Sequence, residues 1–369
     1  MKRHVLFVAS VATHIWNFHM PYLDYFQKAG FTVHVACQLN CSKELFDEKD
    51  ILVHEIPLTR SAFAVKNIWR AGILLKEIFQ QYNFALIHVH TPIISFLARM
   101  VAFLASRSPI LYTAHGFHFY KGAPWINWLI YFPAEFIARF WTNALIVINR
   151  EDHRNAIDLL GYRNVFLVEG VGVDLCEWKD TAIQKTNFLQ REVRGCVFCC
   201  VAEMIPRKNH GVLLAAWEEL QKRGVTGELW LLGDGDLKVA LQEYVQERKV
   251  PDVYFWGYRQ DVREFVEASD VLVLVSLQEG LPRAIMEAMA LSKPVIASDI
   301  RGNHDLVQHG RTGLLVSVND PFSLADSMQR LAEKAELRYQ MGSEGRKAIQ
   351  PYALEPVLDK MKKIYQQFL

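Results

Sequence analysis

Short apolar, β-branched runs alternate with helical stretches along this chain, and they fall into two sets. The first comprises residues 5–10, 32–37, 85–90, 110–115 and 144–149. The second begins after residue 190, with 197–202, 229–233, 253–257, 271–276, 294–298 and 313–316. Near-continuous apolar strands must be covered on both faces, and an intervening helix supplies both the cover and the crossover that parallel pairing needs. Two Rossmann-like α/β domains are therefore expected, and 369 residues at 51% apolar content suffice for two cores. Turn formers Gly170, Gly172 and Asp174, followed by the polar Lys179-Asp180-Thr181, put the linker within 168–185. The expected division is 1–172 and 173–346, with a helical tail over about 347–369.

Ligands on open parallel sheets bind beyond the carboxyl ends of the strands. Ser10, His90, His115, Asn149, Glu203, Asp234, Tyr258 and the stretch 276–279 all fall at such ends and can converge on one cleft. The richest of these segments runs Glu279-Gly280-Leu281-Pro282-Arg283-Ala284-Ile285-Met286-Glu287, after an apolar strand and before a helix. Pro282 suits the first turn of a helix, whose free amides attract phosphate. Glu279 and Glu287, eight residues apart, flank that anion site with acceptors for hydroxyl groups, which describes a pocket for a phosphorylated polyol.

With Glu-Ala-Met-Ala and Lys293-Pro294-Val295-Ile296-Ala297 following, this segment resembles the E-x7-E motif of retaining glycosyltransferases of family 4, which have the GT-B fold. The resemblance covers most of the chain. Val201–Asn209 stands where the family has Val-Gly-Arg-Leu-x-x-x-Lys-Gly, and Gly233-Asp234-Gly235 matches its Gly-Asp-Gly. Thr113-Ala114-His115-Gly116 and Gly170-Val171-Gly172-Val173-Asp174 resemble its His-Gly turn and its interdomain segment.

The resemblance implies two domains facing across a cleft, with the C-terminal helix crossing back to the first. It implies transfer of a hexosyl or N-acetylhexosaminyl group from a nucleotide sugar, UDP being the commonest donor nucleotide in the family. Glu287 would bind the ribose hydroxyls and Glu279 would face the donor sugar. The amides of Gly280, Leu281 and Arg283 would complete the phosphate cradle, and Tyr258 would lie on the donor side. Lys208 matches the lysine that neutralises the diphosphate as the leaving group gains charge. Glu203 replaces the family's arginine, so Arg207 is expected to supply the second cation. His115 would contact ligand near the reacting centre, and His14, His118 and Phe119 would line the acceptor side.

Other classes fit less well. A net charge of +1 gives no general nucleic-acid surface. Neither 10–19 nor 233–238 makes a GxGxxG, so a dinucleotide dehydrogenase is disfavoured. Cys196 and Cys199 form a CxxC, but without a second pair at zinc spacing they are expected to be buried thiols, in keeping with a reducing cytoplasm. His88 and His90 share a strand face and invite a zinc site, but no third ligand is placed. With donor charge assigned to protein cations and helix amides, no metal or other cofactor is expected. The first ten residues read as a strand rather than a signal peptide, and no window of 18 uncharged apolar residues offers a transmembrane span.

Between residues 56 and 150 nine basic residues stand against Glu77 and Glu135, a local net of +7. Ten aromatic residues lie between Phe117 and Trp141, suiting either a bilayer surface or a buried helix pair. The first admits a cytoplasmic enzyme lying peripherally on the inner face of the plasma membrane, with a lipid-linked glycan as acceptor, as in O-antigen, capsule or exopolysaccharide assembly. Rival activities are a nucleotide-sugar epimerase of the same fold and a non-catalytic sugar-nucleotide-binding scaffold.

Overall fold

The computed structural model describes residues 3–57, 65–105 and 108–369. The chain divides into two compact units, Met1–Val171 with Pro356–Leu369, and Gly172–Glu355. Among the described residues of the first unit are β1 (His4–Val11), β2 (Thr32–Gln38), β3 (Leu52–Glu55), β4 (Phe84–His90), β5 (Ile110–Ala114), β6 (Ala144–Val147) and β7 (Val165–Leu167). They form one parallel sheet in the order β3-β2-β1-β4-β5-β6-β7. The second unit has β8 (Cys196–Val201), β9 (Gly227–Leu232), β10 (Val253–Gly257), β11 (Val271–Leu274), β12 (Val295–Ser298) and β13 (Gly313–Val316). Its parallel order is β10-β9-β8-β11-β12-β13. In each sheet the order reverses once, between β1 and β4 and between β8 and β11. Loops leaving such neighbours diverge and leave a crevice at their carboxyl ends.

The central strands are buried almost throughout because helices cover both sheet faces. Each fully buried Val, Leu or Ile there contributes roughly 1.5–3 kcal/mol relative to exposure. The CxxC lies in this core: Cys196, Cys199 and Cys200 are free and buried, and burial pushes the Cys200 thiol up to about 12.

The helix Leu354–Gln366 buries Val357, Met361, Ile364 and Tyr365, one helical face, in the first unit. Tyr365 keys it there through its hydroxyl, 2.9 Å from Nδ1 of His88. Lys360 adds an ion pair with Glu169 at 2.9 Å. The returning element starts at Leu354, because the preceding helix Ala335–Ala348 stays with the second unit, where Gly342 and Gly345 lie against Ser292 and Met289. Close approach there leaves no room for a side chain at residue 342.

Two expectations about the basic, aromatic region change in the folded chain. Arg99 is fully buried and holds Glu135 through two hydrogen bonds of 3.0 and 2.9 Å, so neither contributes surface charge. Arg60 and Arg107 lie outside the described residues. Lys66, Arg70, Lys76, Lys121 and Arg150 are exposed. The aromatic cluster splits between the two readings: Phe117 and Phe119 are core, whereas Trp125, Leu129, Ile130, Ile137 and Phe140 on or beside the helix Trp125–Ala138 are exposed. Among the described residues no helix is long and apolar enough to cross a membrane.

Candidate active site

In the second unit the reversal sets the segments after β8 and β11 side by side. After β8 a short 3-10 turn, Pro206–Lys208, ends at Asn209 in the left-handed region (φ 58°). Backbone pairing locks it to the other segment: Leu277 N–H donates to the Arg207 carbonyl (2.8 Å), and Arg207 Nη1 donates to the Gln278 carbonyl (3.0 Å). Asn209 Nδ2 donates to the carbonyl of Val275 at 3.3 Å.

This docking brings both cations to one carboxylate. Lys208 Nζ lies 2.5 Å from Oε1 of Glu279, and Arg207 Nη1 lies 3.5 Å from Oε2. The Glu279 and Lys208 side chains are 8% and 15% exposed, while that of Arg207 is 42% exposed. Lys208 is therefore the more enclosed cation and Arg207 the more exposed one. Glu203 is exposed in the same segment.

The helix Arg283–Ala290 follows. Pro282 is its N-cap, one residue ahead of the first-turn position expected from sequence, and the amides of Arg283 and its neighbours open the helix. Gly280 and Leu281 form the turn itself, and the Gly280 carbonyl lies so close to Gly302 (φ 78°) that a side chain at 302 would collide with it. Glu287 is buried on the helix, and Arg283 Nε donates to its Oε1 at 2.6 Å. Burial outweighs Arg283 and pushes the Glu287 carboxyl up to about 7. Tyr258 is 78% exposed and follows Gly257, whose carbonyl accepts from Gly233 N–H at the joined ends of β9 and β10.

A different constellation occupies the corresponding place in the first unit. Residues 12–18 form a helix, and His19 separates it from the helix Met20–Lys28. His14 and His19 meet through their Nε2 atoms at 3.2 Å. His90, the last residue of β4, meets His115, just beyond β5, at 3.3 Å. His88 stands apart from these pairs because both of its nitrogens are used, by Tyr365 and by Thr113 Oγ1 at 2.8 Å. Of the expected acceptor-side residues, His118 is half-buried and stacks on Tyr131 (4.3 Å between centroids). Phe119 is fully buried against Phe117, Trp128 and Phe132, so it packs the core and does not face a ligand.

Comparison with known proteins decides the family. The model described as glycosyl transferases group 1 matches residues 195–334, and the glycosyl transferase 4-like model matches 4–149. EpsD of Bacillus subtilis (strain 168), a protein named as a glycosyltransferase, is 33% identical over 381 aligned positions, covering 100% of this chain and 98% of EpsD. The chain belongs to the group 1 glycosyltransferases. An Escherichia coli UDP-Gal:alpha-D-GlcNAc-diphosphoundecaprenol alpha-1,3-galactosyltransferase is 27% identical, covering 91% of this glycosyltransferase and 89% of its relative. Anabaena HepE, solved with UDP-glucose, superposes with a TM-score of 0.79 at 19% identity, covering 99% of each chain. That likeness shows the fold: two parallel-sheet α/β units of the GT-B class.

The residues that the glycosyltransferase brings together in its second unit combine fixed cations, helix-start amides and two carboxylates. Such a set can hold a diphosphate and accept from hydroxyl groups. The sequence points to Lys208, Arg207, Glu279 and Glu287, but it gives His19, at the end of the 10–19 segment, no role of its own. Its only signal was its place beyond the end of β1, beside a strand whose neighbour in the sheet was not yet known.

Proposed function

We propose that this glycosyltransferase transfers a hexose or N-acetylhexosamine from a UDP-sugar, with retention of anomeric configuration, to a lipid-linked glycan during cell-surface polysaccharide synthesis. The observation that carries this is the Lys208–Glu279–Arg207 cluster at the strand-order reversal, next to a helix start and followed by buried Glu287. Lys208 and Arg207 neutralise the diphosphate, the amides of Gly280, Leu281 and Arg283 cradle it, and Glu287 accepts from the ribose hydroxyls. As the glycosidic bond breaks, charge grows on the leaving diphosphate, and Lys208, already held in place, stabilises it without reorganisation. Glu279 faces the sugar, Tyr258 flanks the donor, and His115, His14 and His118 lie on the reacting and acceptor sides. Charge at the diphosphate comes from the protein, so donor binding needs no metal.

Support for UDP comes from HepE, which was solved with UDP-glucose, and from the E. coli relative, whose name gives UDP-Gal as donor and a diphosphoundecaprenol-linked acceptor. Retention rests on the family resemblance. A membrane-surface acceptor is supported by exposed Trp69, Leu104, Trp125, Leu129 and Phe140 together with exposed Lys66, Arg70 and Lys121.

The test is a thermal-shift series with UDP, GDP and ADP in the presence of EDTA, followed by transfer from UDP-sugars to a polyprenyl-diphosphate-linked N-acetylglucosamine. Stabilisation by UDP and an α-linked product are expected. No stabilisation by any nucleoside diphosphate overturns the donor site, and a changed sugar nucleotide without acceptor would point to epimerisation. Flotation with anionic vesicles at low salt tests the membrane surface, and Leu129→Glu should reduce it.

A further inference from the structure

The four histidines at the strand ends of the first unit go beyond the donor site and do not depend on it. We propose that His14, His19, His90 and His115 form a binding site for one divalent transition-metal ion of the zinc class.

Geometry is the first support. One ligand-capable atom from each of the four residues falls within 4.8 Å of all the others. A zinc–nitrogen bond of about 2.0–2.1 Å requires nitrogens about 3.3–3.4 Å apart around a tetrahedron. The His14–His19 and His90–His115 nitrogen pairs, at 3.2 and 3.3 Å, already match such edges. The wider spacings, up to 4.8 Å, must close by ring rotation when the ion binds.

Unmet hydrogen-bonding capacity is the second support. His19 and His90 are buried, and Nδ1 of His19 and Nε2 of His90 have no partner. These are the ring nitrogens opposite those in the two close pairs, so the hydrogen bonds between the rings do not use up the polar capacity of the cluster. His88 shows the contrast, since Tyr365 and Thr113 satisfy both of its nitrogens. His19 and His90 stack with centroids 3.8 Å apart, closer than the roughly 5 Å of two imidazoles on one tetrahedral ion, so metal binding must part these two rings.

The donor set selects the ion. Among the described residues no carboxylate or thiol joins the four imidazoles. Neutral nitrogen ligands suit zinc, copper or nickel and not magnesium or calcium, which take oxygen.

The ion ties the helix Ala12–Phe18 and the bend at His19 to the ends of β4 and β5. It also commits the His14 and His115 rings, so any contact of these two residues with substrate runs through their backbone.

The experiment uses the full chain with its affinity tag removed. Metal content is measured by plasma mass spectrometry after growth with zinc, and again after chelation and reloading with Zn2+ or Co2+. About one ion per chain and the d–d absorption of tetrahedral Co2+ are expected. His14→Ala, at a half-buried position, should weaken binding by at least the roughly 10–100-fold that loss of a second-shell partner costs. His118→Ala, outside the cluster, should leave metal content unchanged. Zn2+ should raise the Tm of the chelated wild-type protein and shift the His14→Ala protein less. Substoichiometric metal with no Tm response in the wild type overturns the proposal, as does full affinity in His14→Ala. Donor binding is read separately with UDP, so failure here leaves the diphosphate site standing.

Discussion

The two units use one topological device with opposite electrostatics. At the reversal in the second sheet stand permanent charges, Lys208 and Arg207 against Glu279. In the first sheet the corresponding position carries four imidazoles and, among the described residues, no carboxylate or thiol beside them. A diphosphate needs fixed charge, because neutral groups cannot offset the charge that develops on a leaving anion. Neutral rings suit a site where lone pairs matter more than net charge. Topology therefore decides where a ligand can go, and side-chain chemistry decides which ligand.

The largest effect expected from breaking this contrast follows removal of the more enclosed cation. Lys208→Ala should lower turnover by roughly 10²–10³-fold, the scale seen when one preorganised charge stabiliser is removed. Arg207→Ala, at a more exposed cation, should cost clearly less. Equal turnover in both variants and wild type, measured by UDP release, would displace the diphosphate from this site.

Burial drives the Glu287 carboxyl towards neutrality. Its folded-state pKa of about 7 lies above the ordinary 4.5, so the folded state is favoured while this group is protonated. That contribution is fully present below 4.5 and is lost as pH rises through 7. Such a shift corresponds to about 3 kcal/mol. Glu287→Gln should therefore flatten the decline in stability between pH 5 and pH 8 in urea unfolding. It should also weaken UDP-glucose binding at pH 8 by about 1.5–3 kcal/mol, the value of a hydrogen bond to a charged group. Parallel pH curves for variant and wild type would mean that Glu287 is ionised in the free protein.

Smaller effects belong to the neutral side. Tyr365→Phe leaves Nδ1 of buried His88 unpaired and should destabilise by about 1–3 kcal/mol in chemical unfolding. Lys360→Ala breaks a part-exposed ion pair on the same helix and should cost below about 1 kcal/mol. If the second change outweighed the first, the returning helix would be held by charge, as the donor site is, and the contrast would fail.

Sequence alone determined the α/β class, the two sets of strands and the residues of the charged site. These features are local: a strand, a turn and a helix start occupy consecutive positions, and Lys208 and Glu279 belong to recognisable segments. Helix ends were less legible, since Pro282 caps rather than opens its helix and the returning tail begins at Leu354. Only the tertiary structure decided which strand ends are neighbours. His88 and His90 suggested a metal site lacking a third ligand, because strand order, invisible in one sequence, brings His14, His19 and His115 to His90 and turns His88 to Tyr365 and Thr113. Burial had the same logic. Arg99 counted as surface charge, and Phe119 as a ligand contact, until packing enclosed the first beside Glu135 and the second in the core. Charge and aromaticity are properties of a residue, whereas exposure is a property of the fold around it.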